Sequence, residues 1–181
     1  MHFVNYKKYK KQVKKLYKAA FPFNERFPLP FLKWKARGED VLFSAVLDGG
    51  QFVGFSYTLE SENFLYVYYL AVCEDLRSKG YGSKILQAIK NDNPGRTITL
   101  AIEDMSKRDA PNYNQRLRRL KFYESNGFKQ LNLKINEAGV DLELLGTDST
   151  VDYDEFMGLM KKFLGKIYFR YIYKNMKKGE K

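Results

Sequence analysis

The chain has 181 residues, of which 44% are hydrophobic, 16% aromatic and 29% charged, and its formal net charge is +11. That balance suits one globular domain with a substantial core, residues 1–181, and excludes a disordered tail or a fibre. There is one cysteine, Cys73, and one histidine, His2. A disulfide framework, a Cys/His metal cluster and Ser-His-Asp or Cys-His nucleophilic catalysis therefore lack their residues, no metal site is expected, and any chemistry falls to carboxylates, tyrosines, lysines, hydroxyls or the backbone.

The positive charge is concentrated at the ends. Residues 1–38 hold 11 Lys/Arg and one acid, residues 161–181 hold eight and one, and residues 39–160 hold 13 and 19, so a basic chain encloses an acidic middle. The lysine-rich ends admit a nucleic-acid reading, as a basic RNA-associated module. The favoured reading is the solvated face of an amphipathic helix, because Tyr6, Tyr9, Val13, Leu16, Tyr17 and Ala20 recur at helical spacing. The amino-terminal segment has no continuous apolar stretch of the kind a secretory signal carries. The longest apolar run, Phe64 to Cys73, is about half of what a membrane-spanning helix needs. A cytoplasmic protein with no membrane partner is the expectation.

A first helix is expected from about Asn5 to Ala20, stopping before Pro22. The stretch 21–30 holds three of the five prolines and reads as an aromatic loop, followed by a short helix around Phe31 to Ala36. Val41 to Leu47, Gln51 to Leu59 and Phe64 to Val72 are β-rich runs, the first two joined by the hairpin signal Asp48-Gly49-Gly50. The third is apolar on both faces, as a covered central strand is. A glycine loop and a helix over Lys84 to Lys90 follow. Then come a strand over Thr97 to Ile102, a helix from Pro111 to Asn126, strands over Phe128 to Ile135 and Val140 to Leu145, and a helix from Asp152 to Leu164. Ile167 to Tyr173 fits either a strand or a helix. As a strand it would offer a sheet edge to a second copy of the chain, giving a homodimer.

The sharpest local signal is the strand, glycine loop and helix around residues 70–90. Free N–H groups of a helix's first turn point outward with the positive end of its dipole, and this makes an anion site. Gly80 and Gly82 let the backbone approach phosphates, while Arg77, Lys79 and Lys84 supply charge. A phosphate-binding Walker loop is disfavoured because Ser83-Lys84 stands in the wrong order after Gly82 and the upstream glycine is missing. The dinucleotide fingerprint is disfavoured because Ile85 occupies its third small position.

The segments Leu70-Ala71-Val72-(x4)-Arg77-Ser78-Lys79-Gly80-Tyr81-Gly82 and Phe122-Tyr123-Glu124-Ser125-Asn126-Gly127-Phe128 resemble the GNAT superfamily of acetyl-CoA-dependent N-acyltransferases. The resemblance covers about residues 40–135. It implies an α/β fold with a mixed, mostly antiparallel central sheet flanked by helices. It also implies acetyl-CoA as acetyl donor, held by Leu70, Ala71 and Val72 along the pantetheine arm and by Arg77, Ser78, Lys79, Gly80, Tyr81, Gly82, Ser83 and Lys84 at the pyrophosphate. The implied reaction is direct attack of a small-molecule or peptide amine on the thioester, with a main-chain N–H polarising the thioester carbonyl and Tyr123 protonating the leaving thiolate. Glu103 is the first candidate for the base that takes the amine's proton, and Asp104 the second. Where the family commonly has an asparagine seven residues before the motif tyrosine, this chain has Arg116. Its arginines either reach the cofactor's 3′-phosphate or form the wet face of a helix. The polar stretch Ser106 to Asn114 is a candidate substrate-side loop. The alternative within the resemblance is a non-catalytic acyl-CoA-binding or sensing domain.

Overall fold

The computed structural model describes residues 1–174, which form two compact units. The first comprises Met1–Ser61 and Leu65–Pro94, the second Glu62–Phe64 and the chain from Gly95 onward.

In the first unit, β1 (His2–Asn5), β2 (Val41–Asp48), β3 (Gln51–Glu60) and β4 (Phe64–Val72) follow one another in space in chain order. Each pairs antiparallel with the next. β1 is a strand that precedes the expected helix and was not among the expected elements: His2–Asn5 pairs with Ser44–Leu47, a partner forty residues away that local periodicity does not reveal. One 3₁₀ turn, Tyr6–Tyr9, leads into α1 (Lys10–Ala20). Val13, Leu16 and Tyr17 of α1 are buried, and Tyr6 stacks on Phe43 with ring centroids 4.2 Å apart.

The proline-rich segment that follows is pinned by phenols. Tyr17 Oη donates to the Phe27 carbonyl (3.0 Å), Tyr69 Oη donates to the Glu25 carbonyl (3.0 Å) and accepts from Phe27 N–H (3.2 Å). Tyr57 Oη donates to the carbonyl of Leu32 in α2 (Leu29–Lys35) at 3.1 Å. Burial pushes the Tyr17 and Tyr57 phenols up, so both stay protonated donors. α3 (Tyr81–Asp92) closes the unit on its buried face of Ile85, Leu86 and Ile89.

In the second unit the strand order is β5 (Thr97–Glu103), β7 (Val140–Gly146), β6 (Lys129–Glu137), again with antiparallel pairing. Its helices are α4 (Tyr113–Ser125), α5 (Tyr153–Leu164) and α6 (Lys166–Ile172). Asp152 caps α5 by accepting from the N–H groups of Asp154 and Glu155. Phe156, Met160 and Phe163 of α5 are buried, as are Ile98, Leu100, Leu144 and Leu145 of the strands. Residues 167–173, open between strand and helix from sequence, lie in α6 and the turn after it, so they offer no sheet edge to a second copy. Among the described residues, no helix is long and apolar enough to cross a membrane, and no group of three or more His, Cys, Asp or Glu side chains is placed to hold a metal ion.

Candidate active site

The glycine loop takes the form its sequence suggests. β4 ends at Val72, a single 3₁₀ turn over Glu74–Leu76 buries Leu76, and Arg77 is extended. Ser78 (φ 60°) and Gly80 (φ 79°) are both left-handed, and Gly80 is the residue immediately before α3. A side chain at Gly80 would meet nothing within 4 Å, so glycine is required there for its backbone angle and not for packing space. No side chain caps the helix, and its first internal bond runs from Lys84 N–H to the Gly80 carbonyl. The N–H groups of Tyr81, Gly82 and Ser83 therefore have no partner within the helix and are available to an anion. Arg77, Lys79 and Lys84 are exposed beside them, with the Lys84 ammonium 5.0 Å from the centre of the Tyr81 ring. The residues present fit a diphosphate, on which several backbone donors, one helix dipole and three cations would act together.

Two features of β4 are less visible in the sequence. The β3–β4 register runs from Gly54↔Val72 to Tyr57↔Tyr69 and resumes at Thr58↔Val67, which leaves Tyr68 as an unpaired extra residue. Such a bulge bends a strand and re-aims the groups beside it. Gly54 lies against the segment expected to run along the cofactor arm: a Cβ built there would stand 2.3 Å from the Ala71 carbonyl oxygen. Glycine inside a strand pattern is a sequence signal for such an approach. Gly54→Ala is expected to destabilise the protein by about 1–3 kcal/mol, because one backbone must move away from the other. A chemical-denaturation midpoint equal to that of the unmodified chain would show that β3 gives way freely.

In the second unit, the residues expected to serve as bases are held by partners. Glu103, the last residue of β5, accepts from Arg119 Nη1 at 2.6 Å on Oε2 and from Asn112 Nδ2 at 2.6 Å on Oε1, and Arg116 Nε lies 3.3 Å from Oε1. Arg116 also donates to Asn112 Oδ1 (2.8 Å) and to the Asp104 carbonyl (3.0 Å), and its side chain is 13% exposed. The residue that departs from the family pattern is thus an internal clamp joining the end of β5 to the start of α4. Arg116 is therefore not part of the wet face, whereas Arg118 is on it.

Asp104 accepts from Ser106 N–H and Ser106 Oγ, each at 2.8 Å, and from Lys134 Nζ at 3.2 Å. Burial alone would raise its carboxyl, but the Ser106 donors and Lys134 outweigh that and hold it below the usual carboxylate range. Its contribution to stability is therefore complete above the unfolded value of about 3.9 and is lost as pH falls through the lower folded value. Asp104→Asn is expected to remove that acid dependence and about 1–3 kcal/mol at neutral pH, read from denaturation curves across pH.

Tyr123 sits near the end of α4, its ring against Phe122 (5.2 Å between centroids) and the buried Phe128 (5.8 Å). The helix stops at Gly127 (φ 80°), where Phe128 N–H donates to the Tyr123 carbonyl. Burial pushes the Tyr123 phenol up, and Arg119, one helical turn earlier, pulls it partly back. Among the described residues its hydroxyl has no hydrogen-bond partner. A protonated phenol with a free hydroxyl suits proton donation to a ligand.

Leu70, Ala71, Val72 and residues 77–84 are thus gathered in one unit, and Glu103, Asp104, Arg116 and Tyr123 in the other. A bulged strand that passes through a left-handed glycine into an uncapped helix defines an α/β protein with an anion-receptive loop. Residues 39–130 match the family described as "Acetyltransferase (GNAT) domain", and the chain belongs to that family of acyltransferases. A curated protein of Bacillus subtilis (strain 168), "Putative acetyltransferase YjbC", is 27% identical over 150 residues, which make up 77% of this chain and 75% of that protein. Two solved structures share the fold. A GNAT-family protein from Bacteroides thetaiotaomicron has a TM-score of 0.74 at 21% identity, over 93% of this chain and 99% of its own. An aminoglycoside 6′-N-acetyltransferase complexed with coenzyme A has a TM-score of 0.62 at 15% identity, over 84% of this chain and 99% of its own.

Proposed function

We propose that the protein transfers an acetyl group from acetyl-CoA to an amine on a small molecule or peptide by direct attack on the thioester. The observation that carries this reading is the uncapped start of α3 behind left-handed Gly80, with Arg77, Lys79 and Lys84 around it. The coenzyme A complex of the aminoglycoside acetyltransferase, which has the same fold, supports it.

Acetyl-CoA would supply the activated acetyl group. The loop N–H groups and cations bind its diphosphate, and the backbone of Leu70, Ala71 and Val72 orients its arm. As the amine's N–C bond replaces the C–S bond, the amine's proton passes to water and the Tyr123 hydroxyl gives its proton to the departing sulfur, to be reprotonated from solvent. Glu103 enters this reading as a positioning residue, because each of its oxygens already accepts from a side chain of α4 or its cap. It holds Arg119, and Arg119 adjusts Tyr123.

Opposite pH effects are expected. Arg119→Gln should move the alkaline limb of kcat to higher pH, because the charge that lowers the Tyr123 phenol is gone. Glu103→Gln should move it to lower pH, because Arg119 then acts with its charge uncompensated. Identical alkaline limbs in both variants and the unmodified enzyme would remove Glu103 and Arg119 from the reaction. Incubation with acetyl-CoA and a panel of amines tests the reading as a whole: amine-dependent release of free CoA is expected, and binding without release would leave only a sensing domain.

A further inference from the structure

One carboxylate of the second unit is buried without a cation. Glu143 of β7 is 6% exposed. Residues directly opposite on neighbouring strands share a face of the sheet, which puts Glu143 with Ile102 of β5 and Lys134 of β6, and alternation along β7 adds Asp141. Asp104, just past β5, joins them, because Lys134 Nζ reaches both of its carboxylate oxygens at 3.2 Å. Lys107 supplies a second ammonium, 2.5 Å from Asp141 Oδ2. The group thus holds three carboxylates and two ammonium ions, and each ammonium is engaged by a carboxylate other than Glu143. Even Lys134, directly across from Glu143, turns to Asp104 instead. Glu143 Oε2 accepts from the neutral amide of Gln130 at 2.9 Å, while Oε1 has no partner among the described residues. Every side-chain oxygen shut away from solvent there has a partner, so Oε1 remains open to solvent. A carboxylate buried this far is ordinarily paired with a cation or bound to a metal.

We propose that Glu143 Oε1 anchors a primary ammonium group, which, on the acetyl-transfer reading, is carried by the acceptor. The surroundings select that cation in three ways. One negative charge is left over in the group, so one positive charge completes it. A metal ion takes several convergent oxygens, and among the described residues no three such side chains are placed to hold one. A guanidinium binds best through its planar fork to both oxygens of a carboxylate, and Gln130 already occupies one of them; an ammonium is a point charge that a single oxygen can meet. Buried Ile102, opposite Glu143, flanks the carboxylate with apolar surface suited to the carbon chain behind the nitrogen. The polar stretch expected on the substrate side is tied to the same face, through Lys107 to Asp141 and through Ser106 to Asp104. The acceptor is thereby an alkylamine, which arrives protonated at neutral pH, and not an aromatic amine, which arrives neutral.

The test is a calorimetric titration of the full chain with hexylamine at neutral pH, in the presence of coenzyme A so that no acetyl group can move. Hexan-1-ol, the same chain without the charge, and hexylguanidine, the same chain with the fork, serve as comparisons. Hexylamine is expected to bind the unmodified chain more tightly than either. Glu143→Gln keeps the shape of the side chain and its contact with Gln130. It should weaken hexylamine binding at least about tenfold and leave hexan-1-ol within about twofold. Its melting midpoint should be no lower than that of the unmodified chain, because a carboxylate without a cation in the fold gives up no ion pair. Absent hexylamine binding, equal affinity in the two chains, or hexan-1-ol or hexylguanidine binding as tightly as hexylamine would each overturn the proposal. So would a clearly lower melting midpoint in Glu143→Gln, the sign of a carboxylate already paired within the fold. Hexylamine binding that depends on Glu143, with no amine acetylated, would uphold the anchor and defeat the acetyl-transfer reading. Amine-dependent release of CoA with the same KM for hexylamine in both chains would do the opposite.

Discussion

Tyr123→Phe is expected to lower turnover on the order of 10²-fold while leaving the Kd for acetyl-CoA within about twofold of the unmodified enzyme. The substitution removes one oxygen and nothing else. The ring keeps its contacts with Phe122 and Phe128, and the hydroxyl gives up no hydrogen bond within the described residues. Its loss therefore leaves no orphaned partner, and the melting midpoint should hardly move. A large fall in kcat at constant affinity and constant stability would be the mark of an interaction made only as the thiolate departs. Unchanged kcat with a productive amine would return Tyr123 to the role of a packing residue. A fall in stability matching the fall in rate would do the same.

Gly80→Val is the second large effect. Valine at φ 79° is strained by about 1–2 kcal/mol, and no neighbour lies close enough to add a clash. Relieving that strain turns the peptide beside α3 and misaligns the donors offered to the diphosphate, so affinity for acetyl-CoA should fall on the order of 10- to 100-fold. Gly95 provides the control. It has the same φ of 79° and the same open surroundings, and it lies outside the loop. Gly95→Val should match Gly80→Val in lost stability and bind acetyl-CoA normally. Equal affinities in the two variants would mean that the loop is a turn and no more.

The parts legible in the sequence were those set by local chemistry. The run Leu70-Ala71-Val72, the glycines at 80 and 82 and the apolar spacing of Ile85, Leu86 and Ile89 specify strand, loop and helix without reference to the rest of the chain. Gly54 was legible in principle, since an isolated glycine in a strand marks a close approach, but its partner Ala71 is not a neighbour in sequence. Features that depend on register were hidden. Tyr68 is an extra residue only relative to β3, and His2–Asn5 is a strand only because β2 accepts it. The apolar spacing that begins at Tyr6 runs through a 3₁₀ turn before α1, so the α-helix starts at Lys10, five residues after the expected Asn5. Arg116 could be seen to depart from the family pattern, but its clamp on Asn112, Glu103 and the Asp104 carbonyl joins a strand end to a helix start through side chains alone. The terminal run 167–173 is short and apolar throughout, and periodicity could not separate strand from helix there.

The most direct measurement is calorimetric titration of the unmodified chain with acetyl-CoA, paired with its thermal unfolding. One molecule of acetyl-CoA should bind per chain with measurable heat, and at a free concentration about a hundredfold above Kd the folded state should gain about 2.7 kcal/mol and melt correspondingly higher. No heat of binding, together with a melting midpoint unmoved by saturating acetyl-CoA, would show that the loop behind Gly80 does not hold the donor.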